Sequence, residues 1–215
     1  MKNNNFYNVK LPVFTAVNKK DTSCILGLFA ALLACNQGNA QMVNEGDLKV
    51  NDNTILSVYM DYQNTNSGNL INDGKLYIFQ NWKNDGIVDF TKASSNGKTF
   101  FTGTGDQYIE GAMQSNFQNV EFNNTSDPVP FYLGTKISVN NKAEFVQGIV
   151  NGVSLDGLVI FNNNAIHDKA GDQSFVDGKV QKIGKNDFEY PVGAEKFFRP
   201  SFQAATSGDN IYTTQ

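Results

Sequence analysis

From residue 41 onward, apolar positions come in short runs that alternate with polar ones, and most runs are closed by Asn, Asp or Gly. The stretch Asn69 to Phe90 (NLINDGKLYIFQNWKNDGIVDF) sets the pattern. In it the triplet Asn-Asp-Gly occurs at 72–74 and again at 84–86, twelve residues apart, and each copy leads into a strand-like run. Asn and Asp bond their own main chain and tolerate left-handed backbone, and Gly reaches positive φ without a Cβ clash, so each triplet predicts a tight turn. Between the triplets, Leu76, Tyr77, Ile78 and Phe79 carry the β-branched and aromatic side chains that fit a pleated surface.

The rest of the chain repeats this grammar. Ile55 to Tyr62 alternates, with Leu56, Val58, Met60 and Tyr62 on one side and Ser57, Tyr59 and Asp61 on the other, which predicts one strand. Further strands are expected at Thr99 to Thr102, around Phe117, Val120 and Phe122, at Ile137 and Val139, at Phe145 and Val146, and at Leu158 to Phe161. Asn140-Asn141 reads as a turn. Asp127-Pro128-Val129-Pro130 reads as a bend or an edge, because proline donates no ladder hydrogen bond. No window after residue 40 shows sustained helical spacing with caps. The fold class is therefore all-β.

Two architectures fit. In a right-handed parallel β-solenoid, short strands joined by turns form rungs, inward residues stack into a dry core, and polar residues such as Asn form ladders along the axis. In an antiparallel β-sandwich, the Asx-Gly pairs would instead close hairpins. The 29 asparagines and the very short strands favour the solenoid, expected over 41–170. The last stretch, 171–215, reads as a terminal rung or cap leading toward a further β domain. It stops at Ile211-Tyr212-Thr213-Thr214-Gln215 in mid-element, so a fragment of a longer protein is expected.

The first forty residues change the count. Lys2, Lys10, Lys19 and Lys20 precede an apolar run, Cys24 to Ala34 (CILGLFAALLA), and Gly38-Asn39-Ala40 supplies small residues before Gln41. This is the layout of a secretory signal peptide spanning 1–40, with cleavage after Ala40, and the apolar run is too short for a membrane-spanning helix. A lipoprotein site at Leu32-Leu33-Ala34-Cys35 is the alternative. Both cysteines, Cys24 and Cys35, lie in this leader, so a processed chain would have no disulfide, thiol nucleophile or thiolate metal site. Removing the four lysines and Asp21 from 17 basic and 21 acidic residues leaves 13 against 20, a net of −7. That balance disfavours nucleic acid and anionic lipid as partners.

Candidate chemistry is sparse. Carboxylate pairs would be needed for a carbohydrate-active β-helix enzyme, and Asp73 and Asp85 would stack if one rung separated them. Each sits in a turn triplet, however, where Asp normally serves the backbone. His167, the sole histidine, lacks partners for a triad or a zinc site and reads as an exposed loop residue. Arg199, the sole arginine, reads as the partner of a nearby acid or strand end. Gly103-Thr104-Gly105 lacks the further glycine and Lys-Ser/Thr step of a phosphate loop. Trp82 with Tyr77 and Phe79 would make an aromatic platform for sugars, although core packing is the favoured reading of the tryptophan. Calcium at Asn51-Asp52-Asn53 or Asp156 lacks a regular acidic loop. No catalytic, cofactor-binding or metal-ligating residue is assigned.

A resemblance adds to this. Asn69 to Gly86, Phe101 to Gly111 (FTGTGDQYIEG), Phe117 to Asn124, Ser174 to Gly184 (SFVDGKVQKIG), Tyr190 to Gly193 (YPVG), Arg199-Pro200 and a leader ending Asn39-Ala40-Gln41 together resemble large secreted surface proteins of Bacteroidetes. The resemblance covers most of 41–200 and carries no catalytic motif. It implies an exported, repetitive β-rich stalk, often continued by further domains and a type IX secretion sorting domain, sometimes of the gliding-motility kind, with adhesin or filament roles. This sequence departs from the pattern at Lys179, where proline is expected, and shows no sorting domain. The expected function is a non-enzymatic, secreted or cell-surface stalk or adhesin-like module that meets surface polysaccharide or other surface proteins. The alternatives are a carbohydrate-active β-helix lyase or hydrolase and a sugar-binding module.

Overall fold

The computed structural model describes residues 40–91 and 96–215. The expected leader, with Cys24 and Cys35, lies outside the described residues apart from Ala40. Among the described residues there is no helix, and the strands are mostly parallel, stacked as a β-solenoid of about six turns.

Each turn of the solenoid lays one short strand on each of three faces. The first face stacks Gln41–Asn44, Asp61–Asn64, Trp82–Asn84, Gln107–Glu110, Phe131–Leu133, Val150–Asn151 and Val176–Asp177, every neighbour parallel. The second begins with Asp47–Val50, Asn69–Asn72 and Ile87–Asp89, and ends with Leu158–Phe161 and Lys179–Gly184. The third begins with Ile55–Val58, Lys75–Ile78 and Lys98–Gly103 and ends with Ile166–Asp168. Two long strands, Ser115–Asn124 and Lys136–Gln147, run around the corner from the second face to the third, with one register shift where they bend, between Phe117 and Asn119, and another between Phe122 and Asn123. The expected turn at Asn140-Asn141 is this bend. Parallel pairing from the first described strand through Lys179–Gly184 excludes the hairpins of a sandwich over that stretch.

Alternation survives a corner, which is why one expected strand becomes two. Ile55–Val58 belongs to the third face and Asp61–Asn64 to the first face of the next turn. Leu56, Val58 and Tyr62 point inward as expected, but Met60 sits at the corner and is exposed.

The core consists of inward rows in register. Val58, Ile78, Phe101, Phe122 and Phe145 stack on the third face, and Tyr62, Trp82, Ile109 and Leu133 on the first. Like rings stack turn upon turn: Phe101 to Phe122 at 5.8 Å and 10°, Phe122 to Phe145 at 5.6 Å and 20°. Full burial of each such ring stabilises by about 2–3 kcal/mol. Among the described residues there is no cysteine, so these rows and the backbone ladders hold the turns together.

The two Asn-Asp-Gly triplets occupy different corners. Twelve residues is not a turn of the solenoid, since Asn44, Asn64 and Asn84 succeed one another at intervals of 20. Asn84 closes a first-face strand and Asn72 a second-face strand. In both, the asparagine side chain accepts the glycine N–H two residues on, at 3.2 Å for Gly74 and 3.1 Å for Gly86. Neither glycine has positive φ. Their need is for close approach, because a Cβ on Gly74 would meet Asn51 O and Thr54 O, and on Gly86 Thr65 O and Gly68 O, the carbonyls of the preceding turn.

Parallel pairing persists through Lys179–Gly184, beyond the expected boundary at 170, and then changes sense. Asn210–Thr214 lies antiparallel on Lys179–Gly184, Phe188–Tyr190 pairs antiparallel with Ser201–Gln203, and Gly193–Ala194 with Phe197–Phe198. These pairs form a cap that occupies the last edge of the second face.

Candidate functional site

On the third face the outward positions form one continuous column. Tyr77, Phe100, Glu121, Glu144 and Asp168 are successive partners in register. The column is aromatic at one end and charged at the other. Tyr77 stacks on Phe100 at 4.3 Å and 6°, and beside them Tyr59 stacks on Phe79 at 4.3 Å and 13°. Near-parallel rings on successive strands cover one another's faces and turn their edges outward, so the strip is a ladder rather than a sugar platform. Tyr59, 69% exposed, begins the ladder, and Lys98 Nζ covers the far ring, lying 4.7 Å from the Phe100 centroid.

The charged end is a network. Stacking Glu121 directly on Glu144 would repel, and lysines on the same face offset this. Lys98 lies 2.7 Å from Glu121 and 3.4 Å from Glu144, and Glu144 also pairs with Lys142 at 2.7 Å and Lys169 at 3.0 Å. Hydrogen bonding from Lys142, with Lys169 and the charge of Lys98 adding to it, pulls the Glu144 carboxyl down to about 2 against the opposing effect of burial. A carboxylate so held is an ion-pair hub and a poor proton donor.

The carboxylates singled out from sequence are committed elsewhere. Asp73 and Asp85 do not stack, since they follow strands of different faces. Asp73 accepts from the backbone and hydroxyl of Thr91 and pairs with Lys49 at 3.1 Å, while Asp85 accepts from Ala112 N at 3.0 Å. Asp156, considered for calcium, pairs with Lys179 at 2.6 Å. Asp52 accepts from Asn53 N at 3.0 Å and Asn96 Nδ2 at 3.3 Å. Among the described residues no group of three or more His, Cys, Asp or Glu is placed to hold a metal ion.

Trp82 is core: 1% exposed, stacked on Tyr62 at 4.8 Å, its Nε1 donating across the solenoid to Ser115 Oγ at 3.1 Å. It has left the aromatic strip to Tyr59, Tyr77, Phe79 and Phe100. The reading of His167 as an exposed loop residue is wrong. It lies in the strand Ile166–Asp168, one step beyond Ala143 in an inward row, with Phe145, Phe161 and Phe188 around its ring. Nε2 donates to Glu189 O at 2.8 Å, Nδ1 is buried with no partner, and desolvation lowers the imidazole below its ordinary pKa. Arg199 lies over the Phe197 ring, 5.7 Å from its centroid, and forms no ion pair with an acid among the described residues. Gly103 ends a strand and Gly105 O accepts from Asn124 Nδ2 at 2.8 Å, so that loop is a polar corner.

Sequence reasoning passed over Lys182. Its ammonium is buried and donates to the carbonyls of Asn162, Asn163 and Ala165 at 2.7, 2.8 and 2.9 Å, with the Phe188 ring 4.9 Å away. Burial lowers it to about 8. The signal was present: Val180 and Lys182 share one side of an alternating strand, and Val180 points inward.

Compared with protein-family models, curated proteins and solved structures, this chain matches none.

Proposed function

We propose that this chain is a non-enzymatic module of the secreted or outer cell surface, a stiff stalk with an adhesin-like contact surface for surface polysaccharide or other surface proteins. The observation that carries it is the continuity of side-chain ladders along the solenoid. Buried amides link Asn44, Asn64 and Asn84, and outward rows repeat the motif on the surface, as where Asn140 reaches Gln118 at 3.0 Å and Asn69 reaches Asp47 at 2.9 Å. Repetition of this kind gives a rod and a multivalent hydrogen-bonding face, each contact weak and their sum substantial. The engagement of Asp73, Asp85, Asp156 and Glu144 by amides and lysines favours this reading over a lyase or hydrolase. Export is supported by the leader pattern, and the first described strand starts at Gln41, so cleavage after Ala40 leaves the first described turn whole. The resemblance to Bacteroidetes surface proteins points the same way.

The test is to express the full chain with a C-terminal epitope in a bacterium of that group. The expected result is a product whose mass starts at Gln41 and whose epitope is cleaved by protease added to intact cells. A product retained in the cytosol with the leader uncut overturns the proposal.

A further inference from the structure

The cap that follows the last solenoid turn carries an open cleft of about 470 Å³ between Ser201–Gln203 and Asn210–Thr214. That volume lies in the roughly 300–1,000 Å³ range of small-ligand sites. Phe202, 71% exposed, and Tyr212, 41% exposed, line it. Among the described residues neither ring packs against another aromatic ring, in contrast to the third-face ladder, so these two have faces to offer.

The polar lining is neutral and pre-ordered. Tyr190, itself buried, donates its hydroxyl to Gln203 Oε1 at 2.6 Å, and the Gln203 amide donates one N–H to Asn186 O at 3.0 Å and has a second to give. Ser201 Oγ meets Thr214 Oγ1 at 3.1 Å across the cleft, and Thr213 Oγ1 accepts from Gln181 Nε2 at 3.1 Å, leaving its own hydrogen to donate. Among the described residues no Asp, Glu, Lys, Arg or His lines this cleft. The clefts beside Asp52 and Lys75, beside Asp127 and Lys196, and beside Asp61 all present charge.

Open aromatic faces together with fixed hydroxyl and amide groups, and no formal charge, match one ligand chemistry. A pyranose ring has an apolar C–H face to lay on an aromatic ring and a rim of hydroxyls that both donate and accept. A phosphate or carboxylate ligand would find no cation here, and an ammonium no anion. We propose that the cap cleft binds a neutral saccharide, with Phe202 and Tyr212 as stacking surfaces and Gln203, Ser201 and Thr213 as hydroxyl partners. This deepens the adhesive reading by naming the class of ligand and where it sits. Its test is made in solution, so that it stands or falls apart from where the protein is located.

The purified full chain is titrated with short neutral oligosaccharides of glucose, mannose and galactose, and with uronic-acid oligosaccharides as charged controls, by NMR. Pull-down on insoluble neutral polysaccharide forms a separate arm and distinguishes a soluble sugar from a polymer surface as the source. Saturable binding of at least one neutral sugar is expected, with uronic acids weaker. Phe202→Ala and Tyr212→Ala should each weaken it by at least about tenfold without moving the unfolding midpoint, since both rings are exposed. Tyr59→Ala should leave it unchanged. The inference is overturned if no neutral saccharide in either arm binds the wild-type chain, if uronic acids bind best, or if binding survives both cap variants or is lost in Tyr59→Ala.

Discussion

Asn64 donates its buried side-chain amide to Asn84 Oδ1 at 2.9 Å, one solenoid turn away, and accepts from Asn44 Nδ2 at 2.8 Å on its other side. The same amide also reaches Ile87 O at 2.9 Å. One side chain thus joins three turns at a single corner. The ladder stops at Gly111, the position that follows Asn84 in register, where φ is +128° and a Cβ would run into the Asn84 backbone.

Asn64→Ala should cost about 1–3 kcal/mol, because Asn44, Asn84 and Ile87 O each lose a partner in a dry corner. Asn69→Ala, which removes an exposed amide bond to Asp47, should stay within about 0.5 kcal/mol. Urea unfolding of the two variants measures the difference.

Gly86→Ala should destabilise by more than about 1 kcal/mol, since its Cβ would press on the carbonyls of the preceding turn. Gly46→Ala, also in an Asn-x-Gly corner but with nothing within 4 Å of the added Cβ, should be near neutral. Equal losses in urea midpoints would refute the close-approach explanation.

His167 titrates against folding. Its folded pKa is lowered by desolvation, with Glu189 and Asp168 opposing, so the unfolded chain binds the proton first. Stability attributable to this residue is present above about 6.5 and is lost as pH falls through the folded pKa. His167→Phe should flatten that part of the stability profile between neutral pH and pH 5, while the wild-type chain loses protection of the Phe188–Tyr190 amides in hydrogen exchange.

Glu144 behaves oppositely in range though alike in sign. Its carboxyl is held down at about 2, so its contribution is present above the ordinary carboxylate pKa and fades as pH drops toward 2. Glu144→Gln should cost about 1 kcal/mol at pH 7 in low salt and markedly less in high salt. A salt-independent loss in chemical unfolding would show that packing, not charge, holds this residue.

What could be read from sequence follows the range of the interactions involved. Alternation is local, so strand positions, inward faces and even the inward Lys182 were encoded in their neighbours. The position of Trp82 was legible for the same reason. That Asp73 and Asp85 do not stack was not legible in the sequence, because register between turns depends on how many residues each corner consumes. Corners of unequal length put identical triplets on different faces. His167 was misread because Asn162 to Asn164 and Asp168 look like a loop locally, while its environment of Phe145, Phe161 and Phe188 comes from turns distant in the chain.

The sequence by itself determined that residues 41 onward are β-structure with Asn and Gly corners, because side-chain alternation and backbone permissiveness act over a few residues. Only the tertiary structure decided that successive strands pair in parallel, that like rings stack from turn to turn, and that the chain reverses its pairing after Gly184 to form the cap. The cleft at Phe202 and Tyr212 is likewise tertiary: its two walls are separated by a loop, and nothing in either wall alone specifies the other.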